Sequence, residues 1–292
     1  MPGSWSRDNG RVTNPTSRAL VSAASLAQAL AAGEPVCLLD VRWSLAAPDG
    51  RDAYRAGHLP GAVYVSLETE LSRHGAPEEG RHPLPAVGDL EAAARRWGLR
   101  SGQRVVVYDD GPGLAAARAW WLLRWAGVSD VRLLDGGLAA WRAAGGALEA
   151  GDAVVVPGDV TLTGGHLPTV DDDEAAGWPA RGVLLDARAG ERFRGETEPI
   201  DPRAGHVPGA VSAPTTENLA ADGTFLPREE LAARFAGLGV TGEDAVAVYC
   251  GSGVTAAHEI AALAVVGIPA ALYPGSWSAW SHQPGREVAT GP

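Results

Sequence analysis

Three stretches of this chain occur twice, in the same order, about 140–148 residues apart. Leu38-Leu39-Asp40-Val41-Arg42 returns as Leu184-Leu185-Asp186-Ala187-Arg188. Ala56-Gly57-His58-Leu59-Pro60-Gly61-Ala62-Val63 returns as Ala204-Gly205-His206-Val207-Pro208-Gly209-Ala210-Val211. The run Val105 to Tyr108, with a Gly-rich turn and an Ala-rich helix after it, returns as Ala245 to Tyr249 with its own turn and helix. Solenoid repeats are far shorter, so a period of this length means two copies of one domain. Within each copy, β-branched runs alternate with amphipathic Ala/Leu/Arg segments, which predicts an α/β fold with a mostly parallel sheet and helices on both faces. The boundaries read as a polar, disordered tail at 1–17, a first copy at 18–148, a linker at 149–167 and a second copy at 168–292.

Composition removes several classes of function. With 46% hydrophobic and 20% charged residues the chain is globular, and a net charge of −11 disfavours nucleic acid or an anionic membrane as partner. The longest apolar stretch, Ile260 to Tyr273, is broken by Gly267 and Pro269 and is too short to span a bilayer. The first residues hold no signal-peptide core. Two cysteines make no disulfide framework, and their usage fits a reducing cytoplasm. No metal or cofactor is expected; the acidic run Asp171 to Glu174 reads as a solvated helix start, where the dipole favours carboxylates.

Cys250 lies in Ala247-Val248-Tyr249-Cys250-Gly251-Ser252-Gly253-Val254-Thr255-Ala256-Ala257, at a predicted strand-to-helix turn. Such a turn can curl successive backbone N–H groups toward one point, and the helix N-terminus adds positive potential. Both favour a thiolate, so a pKa below the free value of roughly 8.5 is expected. The competing reading is a buried structural cysteine, which has no need of a Gly-Ser-Gly turn. The first copy carries Tyr108-Asp109-Asp110-Gly111-Pro112-Gly113 in this place, has no nucleophile and is expected to be inactive.

With these motifs the chain resembles, from Ser17 onward, the tandem-domain sulfurtransferases, that is, rhodanese and 3-mercaptopyruvate sulfurtransferase. The resemblance rests on both Gly-His-x-Pro-Gly-Ala boxes, Leu134-Asp135-Gly136-Gly137 with Trp141, Arg192-Phe193-Arg194-Gly195, the cysteine loop, and Gly275-Ser276-Trp277 with Trp280. It implies two tandem rhodanese-like domains, the second catalytic. Thiosulfate-preferring members resemble Arg-Lys after the cysteine, whereas Gly251-Ser252 is similar to the mercaptopyruvate enzymes. The implied activity moves sulfane sulfur from 3-mercaptopyruvate or thiosulfate to cyanide, a thiol or a thioredoxin-like acceptor, through a Cys250 persulfide.

The resemblance also implies roles for single residues. Ser252 matches the loop serine, His82 its histidine partner and Glu68 the acid, where aspartate is the expected residue. Gly251, Gly253, Val254 and Thr255 would surround the sulfur, the Thr255 hydroxyl either bonding it or capping the helix. Arg192 matches the arginine for the donor carboxylate, and Arg203 is the candidate for a second. Arg188 and Arg194 read as ion-pair partners, and His58 and His206, present in both copies, as structural. Trp277 and Trp280 are candidates for a pocket wall. Two rival classes stand beside this reading. A cysteine phosphatase needs an arginine six positions after the cysteine, where this chain has Ala256. A non-enzymatic binding module would not need an intact cysteine loop. Gly111-Pro112-Gly113 lacks the third glycine of a dinucleotide loop.

Overall fold

The computed structural model describes residues 19–292, so the tail expected at 1–17 lies outside the described residues. The first copy contains β1 (Leu20–Val21), α1 (Ala23–Ala31), β2 (Val36–Asp40), α2 (Arg51–Ala56), β3 (Val63–Tyr64), α3 (Leu67–Glu70), α4 (Val87–Arg96), β4 (Arg104–Tyr108), α5 (Ala116–Trp125), β5 (Val131–Leu134) and α6 (Gly137–Ala143). The second contains α7 (Asp172–Gly177), β6 (Val183–Asp186), α8 (Gly190–Phe193), β7 (Val211–Ser212), α9 (Arg228–Gly237), β8 (Val246–Tyr249), α10 (Thr255–Val266), β9 (Ala270–Leu272) and α11 (Ser276–His282).

The sheets run β1-β5-β4-β2-β3 and β7-β6-β8-β9, with every pair of strands parallel. Matched strand for strand, the two orders are the same. A parallel bridge between Thr169 and Leu272 stands where β1 lies against β5 in the first sheet.

Strands buried on both faces read as near-continuous apolar runs, and these split their side chains between two cores. Leu39, Val105 and Val107 face one way, and Leu38, Val106 and Tyr108 the other. In the second copy Leu185, Val246 and Val248 divide in the same manner from Leu184, Ala247 and Tyr249. The inner faces of both sheets belong to one continuous cluster, which includes Trp120 and Trp121 of α5 and Ala256, Ala257 and Ile260 of α10. The copies therefore share a core, and α5 packs on α10 across the junction.

The repeated motifs are the struts of this fold. Arg42 pairs with Asp40 and donates to the Gly57 carbonyl at 2.7 Å; Arg188 pairs with Asp186 and donates to the Gly205 carbonyl at 2.7 Å. His58 stacks on Tyr54 and His206 on Phe193, each with Nδ1 against the backbone carbonyl of its stacking partner. Arg194 pairs with Glu196 near the surface. The Asp171–Glu174 run opens α7 with a reciprocal cap, Asp171 accepting from the Glu174 N–H and Glu174 from the Asp171 N–H. The 149–167 segment lies along the ends of α4 and α5, with Gly158 and Val160 donating to Arg95 and Leu99. Trp277 and Trp280 are fully buried among Tyr249, Tyr273 and Leu184, so they build core and do not wall a pocket. Among the described residues no helix is long and apolar enough to cross a membrane.

Candidate active site

Cys250 follows β8 directly, and its loop feeds α10. Its side chain is at the bottom of the junction between the copies, the residue only 1% exposed. The N–H groups of Gly251, Ser252, Gly253 and Val254 have no hydrogen-bond partner among the described residues. Gly253 is in the left-handed region at φ 74°, and a Cβ there would lie 2.8 Å from the Pro274 carbonyl, so glycine is required for the turn. On the other flank Ser276 holds φ 55°, a conformation that L residues with a side chain rarely adopt. Its Oγ accepts from the Cys250 N–H at 3.2 Å and donates to the Tyr273 carbonyl at 2.9 Å, which anchors the start of the loop. Cys37 is unlike Cys250 in setting: burial against β4 and the Trp97 carbonyl pushes its thiol up to about 12. Both cysteines are free thiols.

The first copy shows what such a loop binds. Asp109 follows β4 as Cys250 follows β8, and its carbonyl accepts from Leu138 as that of Cys250 accepts from Trp277. The Asp109 carboxylate fills the loop: Oδ1 accepts from the N–H groups of Gly111 and Gly113, Oδ2 from those of Ala115 and Ala116, all at 2.9–3.1 Å. Burial pushes this carboxyl up, and the N–H groups of Ala116, Gly113 and Ala115 pull it back down. Each oxygen accepting twice is the pattern of the ionised form. One copy thus carries its own anion where the other carries a sulfur. Replacing Asp109 by Ala should leave four N–H groups unpaired, three of them buried, and lower stability by about 3 kcal/mol, read from chemical denaturation; a loss below about 1 kcal/mol would contradict this account of the loop.

Three residues named above converge on the Cys250 loop from both copies. His82 Nδ1 is 2.8 Å from Ser252 Oγ, and its Nε2 is 3.3 Å from Glu68 Oε1. Because a carboxylate only accepts, Nε2 carries the proton and Nδ1 accepts from the serine hydroxyl. Trp43, which the sequence offered no reason to select, sets its ring edge-on to His82 at 5.4 Å and donates Nε1–H to Glu68 Oε1 at 2.6 Å. His82 is 4% exposed. Burial pushes its imidazole below the ordinary value; the Glu68 charge opposes this, while Arg118 and Arg81 add to it.

Arg118 is a second residue that sequence reading passed over. It is 0% exposed on α5, and its guanidinium donates to three backbone carbonyls: Leu71 at 3.2 Å, Gly253 at 3.1 Å and His82 at 2.8 Å. No carboxylate pairs with it among the described residues. Burial pulls it down to about 10, and the charge of Cys250 acts the other way. It remains a cation at neutral pH, tying the histidine and the cysteine loop to the first copy.

Arg192 lies beside the loop, its Nε and Nη2 on Glu198 and its Nη2 also 3.3 Å from Asp201. Arg203 does not belong to the site. Its guanidinium donates to the carbonyls of Trp280, Ser281, Gln283 and Arg286, capping the end of α11, so its candidacy for donor binding is withdrawn. Thr255 is the first residue of α10, and its hydroxyl makes no hydrogen bond among the described residues.

Comparison with known proteins agrees with this architecture. A model of the rhodanese-like domain matches residues 22–144 and again 171–283. The chain belongs to the rhodanese family. This tandem member is 52% identical over 278 residues to "Putative thiosulfate sulfurtransferase SseB" of Mycobacterium tuberculosis, covering 93% of this chain and 97% of that protein. It is 48% identical over 288 residues to "Probable 3-mercaptopyruvate sulfurtransferase" of Pseudomonas aeruginosa, covering 94% and 99%. The crystal structure of SseA from Escherichia coli, described as a 3-mercaptopyruvate enzyme of rhodanese fold, superposes with a TM-score of 0.78 at 34% identity over 88% of this chain and 98% of that one.

Proposed function

We infer that this rhodanese-family chain is a sulfurtransferase that carries sulfane sulfur on Cys250 and takes it by preference from 3-mercaptopyruvate. The observation that supports this most is the Ser252–His82–Glu68 chain of contacts placed on the cysteine loop. Thiosulfate needs no proton to release sulfite, whereas a keto-acid donor leaves as an enolate that must be protonated, and a hydroxyl–imidazole pair is suited to that transfer.

The Cys250 thiolate attacks the donor sulfur; an S–S bond forms, the carbon–sulfur bond breaks, and its electron pair leaves on carbon as the enolate of pyruvate. The persulfide S–H proton passes through Ser252 to His82 and on to the enolate carbon, giving pyruvate and a persulfide anion. With thiosulfate the sulfur–sulfur bond breaks and sulfite departs with its pair, with no proton moved. The loop N–H groups stabilise the anion in either case, in the way the first copy's loop holds a carboxylate. A thiolate acceptor then attacks the outer sulfur and releases the Cys250 thiolate. Cyanide, small thiols and a thioredoxin-like reductant are the acceptor chemistries we propose, and a reducing cytoplasm, with which two free thiols are in keeping, is the compartment we propose.

Incubating the protein with donor and no acceptor should add about 32 Da, one sulfur, to Cys250. The Cys250→Ala variant should gain none and turn over neither donor. An unmodified mass, or activity that survives in Cys250→Ala, would refute sulfur transfer; side-by-side rates with the two donors test the preference.

A further inference from the structure

We propose that Arg81, contributed by the first copy, is a donor-binding residue that forms with Arg192 a two-guanidinium clamp over Gly251 for the oxyanion end of the donor. This rests on the sulfur-transfer reading above and adds to it a specificity residue from the copy that has no nucleophile.

The placement of Arg81 begins with its backbone. Its N–H donates to Ser278 Oγ at 3.0 Å, and a Cβ on the preceding Gly80 would lie 2.6 Å from the Gly275 carbonyl. The loop is therefore pressed against the start of α11, beside the Cys250 turn. From there the side chain reaches Asp201, to which Nη1 donates. That contact uses one nitrogen of three. The Nε is buried without a partner, and Nη2 has none among the described residues.

Arg192 has the complementary arrangement. Its Nε and Nη2 are held by Glu198 and Asp201, and its Nη1 makes no hydrogen bond among the described residues. The two unused nitrogens point at one place. A Cβ built on Gly251 would be 3.2 Å from Arg81 Nη2 and 3.5 Å from Arg192 Nη1. Asp201, with its side chain fully buried, contacts both guanidiniums and neutralises part of their charge. Two converging planar forks are suited to a carboxylate or a sulfonate, which offers several acceptor oxygens in one region. The absence of a side chain at Gly251 keeps that region open, directly after the nucleophile in sequence.

The shared chemistry is an oxyanion group, a carboxylate in 3-mercaptopyruvate and a sulfonate in thiosulfate. Steady-state kinetics with each donor, at fixed cyanide, separate the two. In Arg81→Gln the donor KM should rise about 10- to 100-fold, the loss expected for one charge-assisted hydrogen bond, with the KM for cyanide unchanged. A rise with one donor alone assigns the clamp to that oxyanion. Arg81→Lys, which keeps charge but not the fork, should fall between wild type and Arg81→Gln. Asp201→Asn removes the structural partner and leaves both cations, so its donor KM should stay level or fall.

An Arg81→Gln donor KM within twofold of wild type for both donors would overturn the proposal. So would an Asp201→Asn variant whose donor KM rises as much as that of Arg81→Gln, since a purely structural ion pair predicts equal losses. If Arg81→Gln does not fold, Arg81→Lys decides: an unchanged donor KM refutes the clamp. Wild-type protein that forms no persulfide refutes the sulfur-transfer reading instead, so the two failures are distinguishable.

Discussion

In His82→Ala, turnover with 3-mercaptopyruvate should fall by about 10²–10⁴-fold, the usual contribution of a positioned acid–base group, while turnover with thiosulfate falls less than about tenfold. The asymmetry follows from chemistry, since only the keto-acid donor leaves as a carbon base that needs a proton. Acidity supplies a second readout. To take the persulfide proton, His82 must be neutral, and burial holds its imidazole below the ordinary value near 6.5. Lowering the pH protonates it only below that value, so wild-type mercaptopyruvate turnover should persist into mildly acidic solution and then fall. Glu68, Arg81, Arg118 and Arg192 are the charged groups around His82 and the cysteine loop. The thiosulfate profile, which needs only the thiolate, provides the baseline. Equal losses with both donors in His82→Ala would mean that the histidine only shapes the loop.

Arg118→Met should be the most damaging change outside the cysteine itself. It keeps most of the side-chain volume but removes the donors to Leu71, Gly253 and His82, leaving three buried carbonyls unpaired. At about 1–3 kcal/mol for each unsatisfied group, the loss of stability should reach about 3 kcal/mol or more, measured by denaturant titration. It should also slow persulfide formation from both donors, because the cation beside Cys250 and the anchor of its loop vanish together. That pattern differs from the donor-selective loss at His82. Stability within about 1 kcal/mol of wild type would show that the carbonyls find other partners.

The duplication, the alternation of strands and helices and the cysteine turn were all legible in the chain because they are local or periodic signals. Ala247 to Ala257 shows its strand, loop and helix in eleven positions of apolar pattern. The grouping of His82 with Ser252 came from resemblance to a family, and composition alone carries no trace of it. Arg118 was invisible for a physical reason: it sits in Ala-Arg-Ala-Trp-Trp and is satisfied by carbonyls, so no acidic residue in the sequence marks its role. Arg203 misled because an arginine near a binding motif looks the same whether it meets a ligand or caps a helix. His82 lies outside any helix or strand, yet Trp43 and Arg118 of the first copy and Ser252 of the second enclose it. Trp277 and Trp280 misled in the opposite direction, since a tryptophan near a loop signals surface or core equally well. What the sequence withheld was the junction between copies, where partners lie up to 205 residues apart.

Asp109 sets a limit on traffic through the molecule. With its carboxylate seated on the N–H groups of Gly111, Gly113, Ala115 and Ala116, the first loop has no vacancy for a migrating sulfur. On the Cys250 chemistry proposed above each chain holds one transferable atom at a time, and the filled first loop offers no second station among the described residues. On that chemistry acceptors come to the cleft between the copies and collect their cargo there, so the protein works as a single-berth dock.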